Sequence, residues 1–145
     1  MSVSRRIQDV RVGEELPELV VELTPTLIVA GAIASRDYQD VHHDPELARS
    51  RGMPGIFMNI LTTNGFVGRF VTDWAGPDAA VKSIAIRLGV PNLAGDTMRM
   101  TGRVTSANPG NGEGIVVVEV VGRNRLGDHV TGTVTVALPA GSCSE

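Results

Sequence analysis

The stretch Ile56 to Trp74 carries apolar side chains at helical spacing and stands directly before a C-terminal half that reads as β-strand throughout. Ile56, Ile60, Val67, Val71 and Trp74 fall on one stripe, Phe57, Leu61 and Phe70 broaden it, and Asp73-Trp74-Ala75-Gly76-Pro77 supplies a stop. At 1.5 Å per residue such a helix is roughly 28 Å long, about the length of an eight- or nine-residue strand. It can lie along the full width of a sheet's concave face, which restricts the folds available to the chain.

The strands that follow are marked by alternation. Ser83 to Val90 sets Ile84, Ile86, Leu88 and Val90 on one face, and Asp96 to Ser106 sets Met98, Met100 and Val104 against Thr97, Arg99, Thr101, Arg103 and Thr105. Asn108-Pro109-Gly110-Asn111-Gly112 is a turn. Ile115 to Val121 is apolar on both faces, as a central strand would be. After the turn Leu126-Gly127-Asp128, Val130 to Leu138 alternates again, and Pro139 onward reads as a frayed tail.

Ahead of the long helix, Leu19 to Leu23 predicts a short strand, and Thr24-Pro25 starts a helix that runs to about Ser35. That helix is almost wholly apolar, which predicts burial on most sides, with Gly31 allowing a neighbour to approach closely. Asp44-Pro45 caps and opens a second, short helix that Gly52 ends. The expectation is α+β: one antiparallel sheet wrapped around one long central helix. A chain of 145 residues, 42% hydrophobic and 20% charged, fits a single domain over 1–145.

Charge and composition narrow the partners. Lys+Arg 13 against Asp+Glu 16 leaves no basic field for a nucleic-acid backbone, and 3% aromatic residues argue against a base-stacking platform. The longest apolar run, Leu27 to Ala34, is too short to span a bilayer, and Arg5 and Arg6 have no apolar stretch behind them. The single Cys143 permits neither an internal disulfide nor a thiolate cage, which suits a reducing cytoplasm. A soluble cytoplasmic protein is expected.

Chemistry concentrates in Ser35 to Asp44, where Asp37, Asp40 and Asp44 accompany His42 and His43 in a chain with only 3 histidines. Three readings compete. The residues can be helix caps and solvated turn groups, which fits Asp44 as an N-cap and suits Asp40 and His43. They can be metal ligands, although adjacent histidines in a turn diverge and no usual zinc spacing is present. Or Asp37 and His42 can be an acid/base pair, converging on one water if the chain turns between them, as Pro45 and the two helix boundaries suggest.

The pattern Ser35-x-Asp37-x-x-x-x-His42-x-Asp44 resembles the hydratase motif of the MaoC-like dehydratases, hot-dog folds that act on enoyl-CoA thioesters. That family usually has Gly, Asn and Pro where this chain has Arg36, Gln39 and Asp40. The order of elements from Leu16 to Leu138 is similar to the same plan. The segments Arg36 to Asp44, Asn59-Ile60-Leu61-Thr62, Val71 to Pro77, Gly122-Arg123-Asn124 and Leu126 to Thr131 resemble one subgroup, the small subunit of actinobacterial heteromeric hydratases for steroid side-chain enoyl-CoA.

The resemblance implies that Asp37 and His42 activate water for attack on the β-carbon and return a proton to the α-carbon. It also implies that a backbone N–H at the start of the long helix meets the thioester oxygen. Asn59 occupies that position, where the family has Gly, and its side chain would either crowd the thioester or offer a further donor. In the family the site lies where two hot-dog units meet. The implied partner is therefore a second MaoC-like subunit, in a heterodimer or heterotetramer. The implied substrate is an acyl-CoA, with neither a separate cofactor nor a metal.

A thioesterase on the same fold, or a non-catalytic subunit completing a partner's tunnel, are the alternatives. Arg87, Arg99, Arg103, Arg123 and Arg125 are either CoA-phosphate ligands or solvent-facing residues. His129, Met98, Met100 and Trp74 read as structural.

Overall fold

The computed structural model describes residues 3–141; Cys143 lies outside the described residues. The elements are β1 (Leu19–Glu22), α1 (Pro25–Ala34), α2 (Pro45–Ser50), α3 (Ile60–Ala75), β2 (Ala80–Leu88), β3 (Thr97–Pro109), β4 (Glu113–Asn124) and β5 (Gly127–Pro139). All strand pairs are antiparallel, in the order β1-β3-β4-β5-β2.

The sheet's inner face is built by period-2 alternation. Met98, Met100 and Val104 of β3, Val116, Val118 and Val120 of β4, and Val130, Val134 and Val136 of β5 are buried side by side, with Val118 opposite both Val104 and Val134. Each such side chain contributes ~2 kcal/mol by leaving water. Against this layer α3 presents Val67, Phe70, Val71, Trp74 and Ala75, all buried. A sheet curled around one helix is the hot-dog plan, and the strand that was apolar on both faces lies at its centre.

Three details differ from the pattern-based expectation. α3 begins at Ile60, four residues after Ile56, because Asn59 caps it by accepting from the Thr62 N–H, and the preceding segment is extended. In that segment the Phe57 N–H bonds the Val41 carbonyl at 3.4 Å and the Met58 N–H bonds the Asn92 carbonyl at 3.0 Å. Ile56 is thus buried without being helical, Ile60 and Leu61 are exposed, and 16 residues give a helix of roughly 24 Å. Secondly, α1 buries only Ile28 and Ala32 fully and leaves Ile33 57% exposed, since one side packs on α3 and no element among the described residues covers the other. Thirdly, β5 extends through Pro139, and the Ala140 N–H reaches the Gly112 carbonyl at 3.0 Å, where a frayed tail was expected.

Gly31 does what its position in α1 suggests. A methyl there would overlap the Thr62 hydroxyl, so the two helices meet backbone to side chain just below the start of α3. That contact fixes where the end of α1 lies relative to Asn59. No helix of the described residues is long and apolar enough to cross a membrane.

Candidate active site

α1 ends in a tight reversal that delivers Asp37. Ser35 is the C-cap, Arg36 follows at φ 57°, and the N–H groups of Arg36 and Asp37 bond the carbonyls of Ile33 at 3.0 Å and Ala32 at 2.9 Å. This is the glycine-type helix ending made with an arginine, the one non-glycine positive φ among the described residues, at a cost of about 1 kcal/mol. Asp40–His42 then forms one 3-10 turn, and Asp44 caps α2 by accepting from the N–H groups of Glu46 and Leu47. The chain therefore doubles back between Asp37 and His42.

The reversal brings His42 Nε2 to 3.3 Å from Asp37 Oδ2. His42 is buried, its ring edge-on to Phe57 with centroids 4.9 Å apart. Its Nδ1 lies 2.7 Å from the Phe57 carbonyl oxygen. A carbonyl only accepts, so Nδ1 carries a hydrogen and Nε2, facing Asp37, is the nitrogen that gains or loses a proton.

Asp37 is partly exposed, and its carboxyl is held below the ordinary 3.8 mainly by the hydrogen bond from the Asn59 side chain. Desolvation opposes this; the Gln39 N–H and the His42 charge add to it. Asp37 is an anion at neutral pH.

Asp40 and His43 stand apart from this pair. Asp40 binds Arg51 at 2.7 Å, and His43 is exposed while His42 is buried. Among the described residues no three metal-ligating side chains converge. Of the arginines, Arg99, Arg103, Arg123 and Arg125 form surface ion pairs with Glu18, Glu15, Asp128 and Asp96, each worth under ~1 kcal/mol. Arg87 has no ion pair among the described residues.

Asp37 and His42 open onto a cleft of about 390 Å³, otherwise lined mainly by Met53, Phe57, Met58, Ile60, Leu88, Val90 and Pro91. Its size and apolar walls suit an acyl chain. Asn59 also lines it, and the Asn59 N–H finds no acceptor among the described residues.

His129, read from sequence only as structural, reaches the same cleft. Its Nδ1 faces the Val90 carbonyl at 2.6 Å and so donates, and its Nε2 accepts from the Thr63 hydroxyl at 2.8 Å. It thereby ties β5 to the 89–91 wall and to the first turn of α3. Nothing in its spacing announces this, since Thr63 and Val90 are distant in sequence.

Burial lowers the His129 pKa from 6.5, against a smaller opposite effect of the Val90 carbonyl. The unfolded chain takes up a proton here near 6.5 and the folded chain only at lower pH. Stability is therefore complete above that value and declines as pH falls, by at most about 1.4 kcal/mol per pH unit until the folded pKa is passed. In urea unfolding, the midpoint of the parent should drop below about pH 6.5, and His129→Gln should flatten that drop. Parallel curves for the two proteins would contradict it.

The MaoC like domain family matches residues 9–126. The chain is similar to the 3-oxo-4,17-pregnadiene-20-carboxyl-CoA hydratase beta subunit of Mycobacterium tuberculosis, 54% identical over 127 residues, covering 88% of this chain and 95% of that protein. It superposes on a chain of the ChsH1-ChsH2 complex from the same organism with TM-score 0.84 and 54% identity, over 88% of this chain and 98% of that one. The (R)-hydratase from A. caviae involved in PHA biosynthesis, at 22% identity and TM-score 0.79 over 91% and 99% of the two chains, shares the fold. On these matches, across most of its length, the chain belongs to the MaoC-like family.

Proposed function

We propose that this chain is the catalytic subunit of a heteromeric enoyl-CoA hydratase, adding water across the α,β double bond of a bulky, steroid-type 2-enoyl-CoA. The observation that carries this reading is the Asp37–His42 pair at 3.3 Å, with the His42 tautomer set by Phe57, at the mouth of an apolar cleft. Asp37, kept ionised, is a weak base and a good acceptor, so it orients the water. His42 Nε2 takes the water's proton as oxygen attacks the β-carbon, then returns it to the α-carbon. One water is consumed and the protein ends in its starting state. CoA arrives as part of the substrate, so the chain uses no separate cofactor in this scheme.

As the enolate forms, negative charge builds on the thioester oxygen. The free Asn59 N–H at the α3 N-terminus, with the helix dipole behind it, is the donor assigned to that oxygen. The steroid substrate class and the heteromer rest on the 54% identical relative, named as a hydratase beta subunit and seen in a two-component complex. The uncovered apolar side of α1, together with exposed Ile60, Leu61 and Tyr38, supports a second MaoC-like subunit seated beside the cleft, as a heterodimer or heterotetramer. The reducing cytoplasm is the setting.

The test is to co-express the chain with a MaoC-like partner and follow loss of the enoyl-thioester absorbance with a steroid side-chain and a short-chain enoyl-CoA. Hydration of the steroid substrate without release of free thiol is expected. Release of CoA thiol from a saturated acyl-CoA would mean a thioesterase, and turnover that survives loss of this chain's Asp37 and His42 would make it a structural subunit.

A further inference from the structure

We infer that the Asn59 side chain is a positioning residue for the hydration: beyond capping α3, its carboxamide holds the Asp37 carboxylate in register with His42. The inference rests on the acid/base reading of that pair and assigns the side chain a role separate from that of its backbone N–H.

The orientation of the Asn59 amide is fixed by its neighbours. Asn59 Oδ1 lies 3.1 Å from the Thr62 backbone nitrogen, which can only donate, so the oxygen must face Thr62 and the NH2 must face the other way. The Thr62 hydroxyl donates to the same oxygen at 2.5 Å. On the far side Nδ2 donates to Ser35 Oγ at 2.9 Å and to Asp37 Oδ2 at 3.1 Å. The Ser35 hydroxyl hydrogen is already given to the Gly31 carbonyl at 2.7 Å, leaving its oxygen to accept. Every hydrogen and acceptor of this network is matched, and a flipped amide would set two donors against each other at Thr62.

Asn59 is 2% exposed, so solvent does not compete for these bonds. Both Asp37 oxygens are then assigned: Oδ1 accepts from the Gln39 N–H at 3.3 Å, and Oδ2 accepts from Asn59 at 3.1 Å while facing His42 Nε2 at 3.3 Å. Rotation of the carboxylate would break one bond on each side. The same bond from Asn59 is the largest influence holding the Asp37 carboxyl ionised. Because both amide hydrogens are spent, the side chain has no donor left for the thioester.

Asn59→Ser separates the functions. Serine keeps an oxygen that caps Thr62 and keeps the backbone N–H, but removes both donors. Expected is a fall in kcat of about 10- to 100-fold with little change in KM, and an acid limb of the kcat/KM profile moved to higher pH as Asp37 loses its donor. Asn59→Asp, also a good cap, sets a carboxylate against Asp37 and should move that limb further and lower kcat more. The cleft's titratable residues are Asp37, His42 and His129, so the profile is repeated in His129→Gln to exclude His129 as the source of the limb.

Parental kcat and an unmoved limb in Asn59→Ser, or in Asn59→Asp should the serine variant not fold, would overturn the inference, as would a loss confined to KM. Asp37→Asn and His42→Ala are assayed alongside. If they are inactive while Asn59→Ser is unaffected, only this inference falls; if they retain turnover, the acid/base reading falls with it.

Discussion

Asp37→Asn and His42→Ala, each co-expressed with the proposed MaoC-like partner, are expected to lower kcat/KM for hydration by roughly 10³-fold or more. Asn at 37 is nearly isosteric on a partly exposed side chain, so folding should be unaffected, yet the charge proposed to orient water is gone. His42→Ala removes the proposed proton carrier itself. The imidazole is buried and bonded to the Phe57 carbonyl, so that variant also loses ~2 kcal/mol of stability while remaining folded. Because the proposed mechanism has the two side chains act on one water, the double variant should be little worse than either single one. Substantial turnover by either single variant would remove that residue from the mechanism, and additive losses would mean that the pair does not work as a unit.

The Asp37–His42 pair was legible because its elements announce themselves locally. Thr24-Pro25 starts α1, Asp44-Pro45 starts α2, and the chain between two such helix boundaries must turn. The alternation of Met98, Met100 and Val104 likewise identified the buried face of β3, since strand geometry leaves no other arrangement.

What escaped the sequence depends on distant partners. Ile56 and Phe57 continue the helical periodicity, but their segment is claimed by the carbonyls of Val41 and Asn92, which no local pattern predicts. Asn59 meets Ser35 and Asp37 only after α1 and α3 have packed through Gly31. The expected burial of α1 failed for another reason: hydropathy records that a face prefers to be covered, without saying by which chain.

Gly89→Ala is expected to lower the thermal midpoint by roughly 10 °C, although exchanging glycine for alanine at a compatible site ordinarily stabilises by about 0.4–1 kcal/mol. The site is incompatible for reasons of space, since its backbone does not have a positive φ. A methyl at Gly89 would overlap the backbone carbonyl oxygen of Asp128, which cannot rotate away as a side chain would.

That carbonyl accepts from the Val90 N–H at 3.0 Å, and beside it the Gly89 N–H bonds the His129 carbonyl at 2.7 Å. Parting the strands weakens both, together with the bond from His129 Nδ1 to Val90, so the overlap should cost about 3 kcal/mol and outweigh the entropic gain. Gly55→Ala is the control, since nothing lies within 4 Å of its added methyl, and its midpoint should stay level or rise slightly. An unchanged midpoint in Gly89→Ala would mean that the 89–91 wall yields freely. It would then be unable to fix the shape of the cleft beside Asp37 and His42. A large drop means that the wall does not yield to the added methyl and is held in place by β5.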